Sequence, residues 1–152
     1  MTEYLSQQKH KEFVNELDYL QTTRRQEIAE SLKEARSLGD LSENAEYHQA
    51  REDQANIEKR ITDIQAILED SVIVKKSSSS KVNIGVIVVV QKKGEKEKKE
   101  YTIVGNQESN MAENKISVSS PLVRAMLEKE KGESFCFESP KGKQEYKIID
   151  VK

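Results

Sequence analysis

Apolar residues recur at alternating steps of three and four along two long stretches of this chain, and no other feature constrains the fold so strongly. Such spacing places apolar side chains on one helix face, where they form a seam against a partner helix. The stripe of the second stretch consists of Tyr47, Ala50, Gln54, Ile57, Ile61, Ile64 and Leu68. The stripe of the first stretch consists of Phe13, Val14, Leu17, Leu20, Ile28, Leu32, Ala35 and Leu38, with a polar interruption at Thr22–Arg25.

The two stretches are predicted to pair as an antiparallel coiled-coil hairpin. No proline occurs before Pro121, so nothing covalent interrupts a helix over about residues 7–38 or a second one over about residues 42–70. The connection between them is only a few residues long, which forces the helices to run antiparallel. Gly39 is placed to end the first helix, because glycine accepts the left-handed conformation that closes many helices.

Two carboxylates, Asp40 and Glu43, stand at the turn between the helices. Their spacing is that of a helix capping box, in which the first residue accepts a backbone N–H and the second favours the positive helix end. The same pair has a chemical interpretation, because hard divalent cations such as Mg²⁺ prefer oxygen ligands. The pattern alone leaves both interpretations open.

The composition fits a chain that buries a narrow seam over much of its length. Charged residues make up 34% of the sequence and aromatic residues 5%, with no tryptophan to build a large aromatic core. Residues 1–76 carry 11 Lys+Arg and 16 Asp+Glu, a net charge of −5, whereas residues 77–152 carry 14 and 11, a net charge of +3. An acidic hairpin argues against wrapping of duplex DNA and suits a partner with a positive entrance or bound metal ions.

After Asp70 the pattern changes from helical to strand-like. The run Val82–Val90 is apolar on both faces and predicts a central strand, in which Gly85 indicates a bulge or a close backbone approach. Pro121 is placed to open a short helix over about residues 122–130. Further strands are predicted at Val72–Val74, Tyr101–Val104, Lys115–Ser119, Phe135–Phe137 and Glu145–Val151, a linker at Lys75–Ser80, a charged hairpin tip at Gln91–Glu100 and a turn at Pro140–Lys143.

These elements define an α+β fold with two domains. Residues 1–74 are predicted to form the coiled-coil hairpin with its acidic tip, and residues 75–152 an antiparallel sheet domain with one helix. Cys136, in the apolar run Phe135–Phe137, is expected to be a buried thiol, since the chain has no second cysteine for a disulfide or zinc site. The N-terminus has no apolar signal region and the chain no apolar run of membrane-spanning length, so a cytoplasmic location without membrane contact is expected.

Two motifs carry a resemblance to a known family. The sequence GDLSENAEYHQARE, Gly39–Glu52, and the sequence KISVSSPLVRAMLEKEKGE, Lys115–Glu133, resemble the signatures of the Gre transcript-cleavage factors of bacterial RNA polymerase, closest to the GreA branch. The segment SPKGKQEYKI follows the second motif, and the resemblance covers essentially the whole chain in order and spacing. It implies an N-terminal coiled-coil hairpin and a C-terminal domain of FKBP-like fold.

The resemblance also implies a function. In this family the globular domain docks at the rim of the polymerase secondary channel, and the hairpin reaches the active centre. The polymerase then hydrolyses the extruded 3′ end of the nascent RNA in backtracked complexes. The chain itself is therefore expected to be a monomeric partner of bacterial RNA polymerase and of the nascent RNA 3′ end, and not an enzyme.

The tip residues match the family motif individually. Asp40 and Glu43 match the two acidic residues that help to bind the second catalytic Mg²⁺ and to orient the attacking water, with the first metal held by the polymerase's own aspartates. The resemblance thus implies Mg²⁺ shared with the polymerase and none bound by the isolated chain. Asn44, Glu46 and Tyr47 match the flanking motif and are expected to position the tip.

The roles of three tip residues stay open at this point. Tyr47 lies on the seam, so packing is an equal alternative to positioning. Arg51 is one turn further along and could contact an RNA phosphate as a forked donor, or pair with a nearby carboxylate on the helix surface. His48 is expected to be a surface or tip-packing residue, because no partner ligands for a metal are identifiable beside it.

The chain departs from the family pattern in its second half. Val123 and Glu128 stand where glycines are common, and these changes are expected to alter the docking surface. The lysine-rich hairpin Lys92–Lys99 is interpreted as a solvated loop.

Three alternative functions compete with this interpretation. The first is a channel-binding inhibitor of the same architecture, which the intact Asp40 and Glu43 pair disfavours. The second is a non-catalytic coiled-coil interaction module. The third is a prolyl isomerase, for which the second half supplies few aromatic residues to line a pocket.

Overall fold

The computed structural model describes residues 2–75 and 80–152, and the chain divides into two compact units. One unit comprises His10–Asp70 and is called the hairpin unit below; the other comprises Met1–Lys9 with Ser71–Lys152 and is called the sheet unit. The predicted domains were residues 1–74 and 75–152, so the observed division assigns both ends of the predicted hairpin domain to the sheet unit. Most of the linker predicted at Lys75–Ser80 lies outside the described residues.

The hairpin unit is built from two long helical segments. The first consists of α1 (Gln7–Tyr19), whose first three residues belong to the sheet unit, a π-helical segment at Leu20–Arg24 and α2 (Arg25–Ser37). The second is α3 (Ala45–Glu69). The predicted hairpin of two helices is confirmed. The π-helical segment coincides with the polar interruption of the first stripe, where the wider turn changes the phase of the apolar face.

The predicted seam lies buried between α2 and α3. Ile28, Leu32 and Ala50 form a buried cluster, against which Tyr47 and Ile57 pack. Two residues of the predicted first stripe are instead exposed: Val14 at 43% and Leu38 at 63%. Val14 follows the buried Phe13, and consecutive helical residues point about 100° apart, so the seam cannot take both. Leu38 is the C-cap of α2, where the seam has ended.

Bidentate ion pairs tie the two helical segments together. The Arg25 guanidinium donates through Nε and Nη2 to the two carboxylate oxygens of Glu58, both at 2.8 Å. The Arg60 guanidinium binds Glu16 in the same way, at 2.8 and 3.0 Å. All four side chains are exposed or half-exposed, so these pairs favour one alignment of the helices more than they add stability.

The sheet unit contains a five-stranded sheet. Its strands are β3 (Ile87–Lys92), β4 (Lys98–Val104), β5 (Lys115–Ser117), β6 (Ser134–Ser139) and β7 (Gly142–Val151). Their order in the sheet is β5-β4-β3-β7-β6, with β3 at the centre. The predicted α+β class is confirmed, but the sheet is mixed and not purely antiparallel, because β5 runs parallel to β4. Two short 3₁₀ turns between these strands reverse the chain a second time and make the parallel pairing possible.

A short helix, α4 (Pro121–Met126), packs on this sheet, and together they enclose the core. The Ser120 side chain caps α4 by accepting the Val123 N–H, and Pro121 occupies the first turn as predicted. The helix ends at Met126, four residues before the predicted end. The fully buried core side chains include Val82, Val86, Val88, Val90, Ile103, Val123, Met126 and Ile148.

Two further predictions for this unit are wrong. The central strand begins at Ile87 and not at Val82, because Gly85 adopts a φ of 90° and turns the chain before the strand. Val82 and Val86 are nevertheless fully buried, so their apolar character reflects burial in the core and not strand pairing. Cys136 is exposed, because strand residues alternate between faces and its neighbour Phe135 takes the core side.

The sequence pattern gave no indication of the first strand. β1 (Glu3–Ser6) pairs in parallel with β2 (Ser71–Val74), and Leu5 is fully buried. The Ser6 hydroxyl accepts the Lys9 N–H at 3.1 Å and so caps the start of α1. Ser6 in turn donates its N–H and its hydroxyl to the Glu108 carboxylate at 2.9 and 2.6 Å.

None of the helices in residues 2–75 and 80–152 combines the length and the apolar character that a bilayer crossing requires.

Candidate functional site

The tip of the hairpin unit is a short loop between Ser37 and Ala45. Gly39 closes α2: its N–H donates to the Arg36 carbonyl at 3.4 Å, and its φ is 120°. That φ lies in the region that glycine adopts without steric cost, so Gly39 has the helix-ending role that the sequence predicted. The loop that follows carries Asp40 and Glu43, both exposed.

Asn44 caps α3. Its side-chain oxygen accepts the Tyr47 N–H at 3.1 Å, and its Nδ2 donates to the Ala35 carbonyl at 2.6 Å. One side chain therefore begins α3 and holds it against the end of α2. The predicted capping box of Asp40 and Glu43 is wrong, because Asn44 takes that position and α3 begins three residues later than predicted. The positioning role expected for Asn44 has a clear structural basis in these two bonds.

Asp40 is ordered by its own loop. Its Oδ1 accepts the Ser42 backbone N–H at 3.0 Å and the Ser42 hydroxyl at 2.9 Å. The backbone bond, followed by the hydroxyl bond, holds the pKa of the Asp40 carboxyl below its ordinary value, because both bonds favour the charged form. Asp40 is thus a permanent anion at neutral pH on an otherwise exposed tip.

Glu43 and Glu46 complete the negative charge of the tip. Within the described part of the chain, the Glu43 carboxylate has no hydrogen-bond or ion-pair partner. Glu46 is exposed in the first turn of α3, where the positive end of the helix dipole favours a carboxylate. The interaction that the structure shows for the Glu46 carboxylate is therefore with the positive end of its own helix, α3.

The tip carboxylates have the right chemistry to be ligands of Mg²⁺. Carboxylate oxygens are the hard ligands that this ion prefers, and Mg²⁺ demands a nearly octahedral set of about six. In residues 2–75 and 80–152, no group of three or more His, Cys, Asp or Glu side chains is arranged to hold a metal ion. Asp40 and Glu43 are two such carboxylates, and an ion held by them would take its remaining ligands from water or from another molecule.

Tyr47 and His48 pack around the tip. Tyr47 is half-buried on the seam, with the Arg36 guanidinium 5.9 Å from its ring centroid, so packing accounts for its position. The His48 ring lies edge-on to Tyr47 at 5.8 Å, and its Nε2 donates to the Ser42 carbonyl at 3.3 Å. The tip-packing interpretation of His48 agrees with these contacts.

Arg51 remains available at the helix surface. It is exposed, and its Nη1 donates to the Gln54 side chain at 3.4 Å, a long and weak bond. Arg51 has no carboxylate partner among residues 2–75 and 80–152. The ion-pair alternative for this residue therefore has no support, and the RNA-contact hypothesis stays a prediction.

Sequence reasoning overlooked Ser42. The signal was present, because an Asp followed two residues later by a hydrogen-bond donor is typical of a turn in which the side chain accepts that donor. The family motif drew attention to the carboxylates and to the flanking Asn44, and not to the serine between them.

Val123 and Glu128, which stand where the family commonly has glycine, lie in different environments in the structure. Val123 is fully buried in the core, so it cannot alter the docking surface as expected. Glu128 adopts a φ of 65° just beyond α4, which explains why glycine suits that position.

In the lysine-rich hairpin Lys92–Lys99, the Lys93 ammonium pairs with the Glu145 carboxylate at 3.2 Å, while three-quarters of the Lys93 side chain stays exposed. This agrees with a solvated loop.

Comparison with known proteins identifies the family of this chain. The family described as "Transcription elongation factor, N-terminal" matches residues 3–73, and the family described as "Transcription elongation factor, GreA/GreB, C-term" matches residues 76–152. The chain therefore belongs to the GreA/GreB family of transcription elongation factors.

Individual relatives align over nearly their full length. Transcription elongation factor GreA of Shouchella clausii is 38% identical over 151 residues, which cover 98% of this chain and 96% of the relative. The GreA of Baumannia cicadellinicola is 43% identical over 139 residues, covering 90% and 88%. Among solved structures, the GreA factor homolog 1 protein of Thermus thermophilus is similar at 25% identity, with a TM-score of 0.46 and coverage of 100% and 99%.

Proposed function

We propose that this chain stimulates bacterial RNA polymerase to cleave the 3′ end of the nascent RNA in backtracked, arrested complexes. The hairpin tip enters the secondary channel, and the sheet unit, with α4, docks on the polymerase surface. The chain acts in the cytoplasm, where bacterial transcription takes place. Membership of the elongation factor family supports a role in transcription. The exposed carboxylates at the hairpin tip support a role in RNA cleavage.

The observation that carries this proposal is the state of the two tip carboxylates. Asp40 and Glu43 are exposed on a loop that Gly39 and Asn44 close, and neither is used to cap a helix. Asp40 is held in its charged form, and Glu43 has no partner in the described residues. Both carboxylates are therefore accessible to a metal ion or a water molecule supplied by another molecule.

The tip residues have separate tasks in the proposed reaction. Asp40 and Glu43 would hold a Mg²⁺ ion together with ligands from the polymerase, and when bound, the ion activates a water molecule and stabilises charge on the phosphate. The Glu43 carboxylate accepts a hydrogen bond from the attacking water and orients it toward the phosphorus. Asn44 fixes the start of α3 and so keeps both carboxylates at one place. Arg51 would contact an RNA phosphate.

A cleavage assay on stalled elongation complexes tests this proposal. The double variant carrying Asp40→Asn and Glu43→Gln keeps the size of both side chains and removes two charged ligands. The Asn44 cap is untouched, so folding should be unaffected. We expect the wild-type chain to accelerate cleavage, and the double variant to leave it at the polymerase's intrinsic rate.

A neighbouring charge supplies the matched control. Glu46→Gln removes one carboxylate from the same tip but from the helix surface, so it should preserve most of the stimulation. Cleavage by the double variant at the wild-type rate would refute the role of the two carboxylates. Slowed nucleotide addition without any cleavage by the wild-type chain would instead identify a channel-binding inhibitor.

A further inference from the structure

Ser42 is the residue that fixes the orientation of Asp40. It makes two hydrogen bonds to a single carboxylate oxygen, through its backbone N–H and through its hydroxyl, at 3.0 and 2.9 Å. We infer that Ser42 is a positioning residue that occupies Asp40 Oδ1 and presents Asp40 Oδ2 alone as the ligand atom. This inference rests on the proposed function, since it concerns how the same carboxylate acts.

The assignment follows from counting lone pairs. A carboxylate oxygen has two lone-pair directions, and the two donors of Ser42 use both of those on Oδ1. Oδ2 accepts no hydrogen bond from the described residues, and Asp40 is exposed, so the lone pairs of Oδ2 are available to a ligand. Asp40 is therefore prepared to bind a cation through one oxygen only.

Ser42 is itself held from the other side. Its carbonyl oxygen accepts a hydrogen bond from His48 Nε2 at 3.3 Å. His48 lies in the first turn of α3, and the edge-on contact with Tyr47 places its ring. A chain of contacts thus runs from the rigid helix through His48 and Ser42 to Asp40.

This arrangement has an energetic consequence for a ligand on a loop. A carboxylate that rotates freely loses that freedom when it binds a metal, and the lost entropy weakens binding. Hydrogen bonds from neighbouring residues remove most of that cost in advance, and their loss typically lowers metal affinity by about 10–100-fold. Ser42 should therefore affect how much Mg²⁺ the cleavage reaction needs more than it affects the maximal rate.

The activity test compares Ser42→Ala with Ser42→Thr. Alanine removes the hydroxyl bond and keeps the backbone bond, whereas threonine keeps both. We expect Ser42→Ala to raise the Mg²⁺ concentration for half-maximal cleavage by on the order of tenfold, with a rate near that of the wild type at saturating Mg²⁺. Ser42→Thr should restore the wild-type Mg²⁺ dependence. A merely structural serine would change the melting temperature or the maximal rate and leave the Mg²⁺ midpoint in place.

A second measurement uses the chain alone, without metal or polymerase. Amide hydrogen exchange of Ser42 reports its bond to Asp40 directly. Asp40→Ala should speed this exchange by about tenfold, because a hydrogen bond to a charged acceptor is lost. Asp40→Asn, which keeps an acceptor oxygen, should exchange more slowly than Asp40→Ala.

The outcomes separate this inference from the proposed function. If Asp40→Asn abolishes cleavage but Ser42→Ala leaves the Mg²⁺ midpoint unchanged, Ser42 has no positioning role and the proposed function stands. If Asp40→Asn cleaves like the wild type, the proposed function fails, whatever the exchange data show. Equal Ser42 exchange in the wild type and in Asp40→Ala would overturn the hydrogen-bonded geometry itself.

Discussion

Glu108 completes a helix cap at Ser6, which lies 102 residues before it in the sequence. In an ordinary capping box, a glutamate in the first turn of the helix reaches back to the backbone N–H of the capping residue. Here the first turn supplies Lys9 instead, and the Glu108 carboxylate accepts both the N–H and the hydroxyl of Ser6. The start of α1 therefore depends on a residue from the 3₁₀ turn after β4.

Glu108→Ala should lower the free energy of unfolding by about 1–2 kcal/mol, since two charge-assisted bonds are lost and the Ser6 N–H loses its partner. Urea unfolding of the full chain measures this difference. Glu113→Ala is the control, because it removes only an exposed ion pair with Lys115 and should change stability by less than about 0.5 kcal/mol. Equal effects of the two substitutions would argue against the distant cap.

Glu128→Gly should stabilise the sheet unit. A non-glycine residue at a φ of 65° has its Cβ close to the backbone, which costs about 1–2 kcal/mol, and the greater freedom of glycine in the unfolded chain offsets part of the gain. We therefore expect a net increase of about 0.5–1 kcal/mol by thermal or urea unfolding. Asn114 adopts a similar φ of 55°, but asparagine tolerates this region. Asn114→Gly should give a clearly smaller change, and the reverse order would contradict the explanation.

Asn44 has two separable roles, and two substitutions distinguish them. Asn44→Ala removes both the cap of α3 and the bond to the Ala35 carbonyl, and should cost about 1–2 kcal/mol. Asn44→Asp keeps the capping oxygen but loses the donor to Ala35, so its cost should be intermediate. Circular dichroism during urea unfolding provides the comparison. Identical stabilities of the two variants would mean that the cap contributes nothing beyond the bond to Ala35.

The pKa of Asp40 gives a prediction for pH dependence. Because the Ser42 bonds lower the folded-state pKa, Asp40 contributes stability above its unfolded pKa, and this contribution is lost as the pH falls through the lower folded value. Carboxyl NMR titration of the folded chain should find Asp40 below its ordinary pKa and should find a higher value in Ser42→Ala. The contribution to unfolding is expected to be small, because Asp40 is exposed to solvent. If the titration midpoint of the Asp40 carboxyl is the same in Ser42→Ala as in the wild type, the Ser42 hydroxyl does not contribute to the lowered pKa.

The helical hairpin was predictable because its signal is distributed over many residues. Each helix repeats its apolar spacing over several turns, so one exposed residue such as Val14 does not alter the conclusion. The start of α3 was not predictable in the same way. Asp40 and Asn44 are both good caps, and the choice between them depends on the bond from Asn44 to Ala35, which requires the paired helix to be in place.

The errors in the sheet unit also have physical causes. The run Val82–Val90 is apolar throughout, and the pattern cannot distinguish strand pairing from burial of an irregular segment such as the one around Gly85. β1 is four residues long, and its pairing with β2 joins segments far apart in sequence. At the candidate site, the family motif predicted the two carboxylates, whereas their orientation by Ser42 required the geometry of the loop.

The central claim is that the tip carboxylates are needed for chemistry and not for binding to the polymerase. It is tested most directly by adding increasing amounts of the double variant with Asp40→Asn and Glu43→Gln to stalled complexes that contain a fixed amount of the wild-type chain. Since the variant keeps its fold and its docking surface, it should displace the wild type and reduce transcript cleavage toward the intrinsic rate. Cleavage that stays constant or rises as the variant is added would contradict the claim.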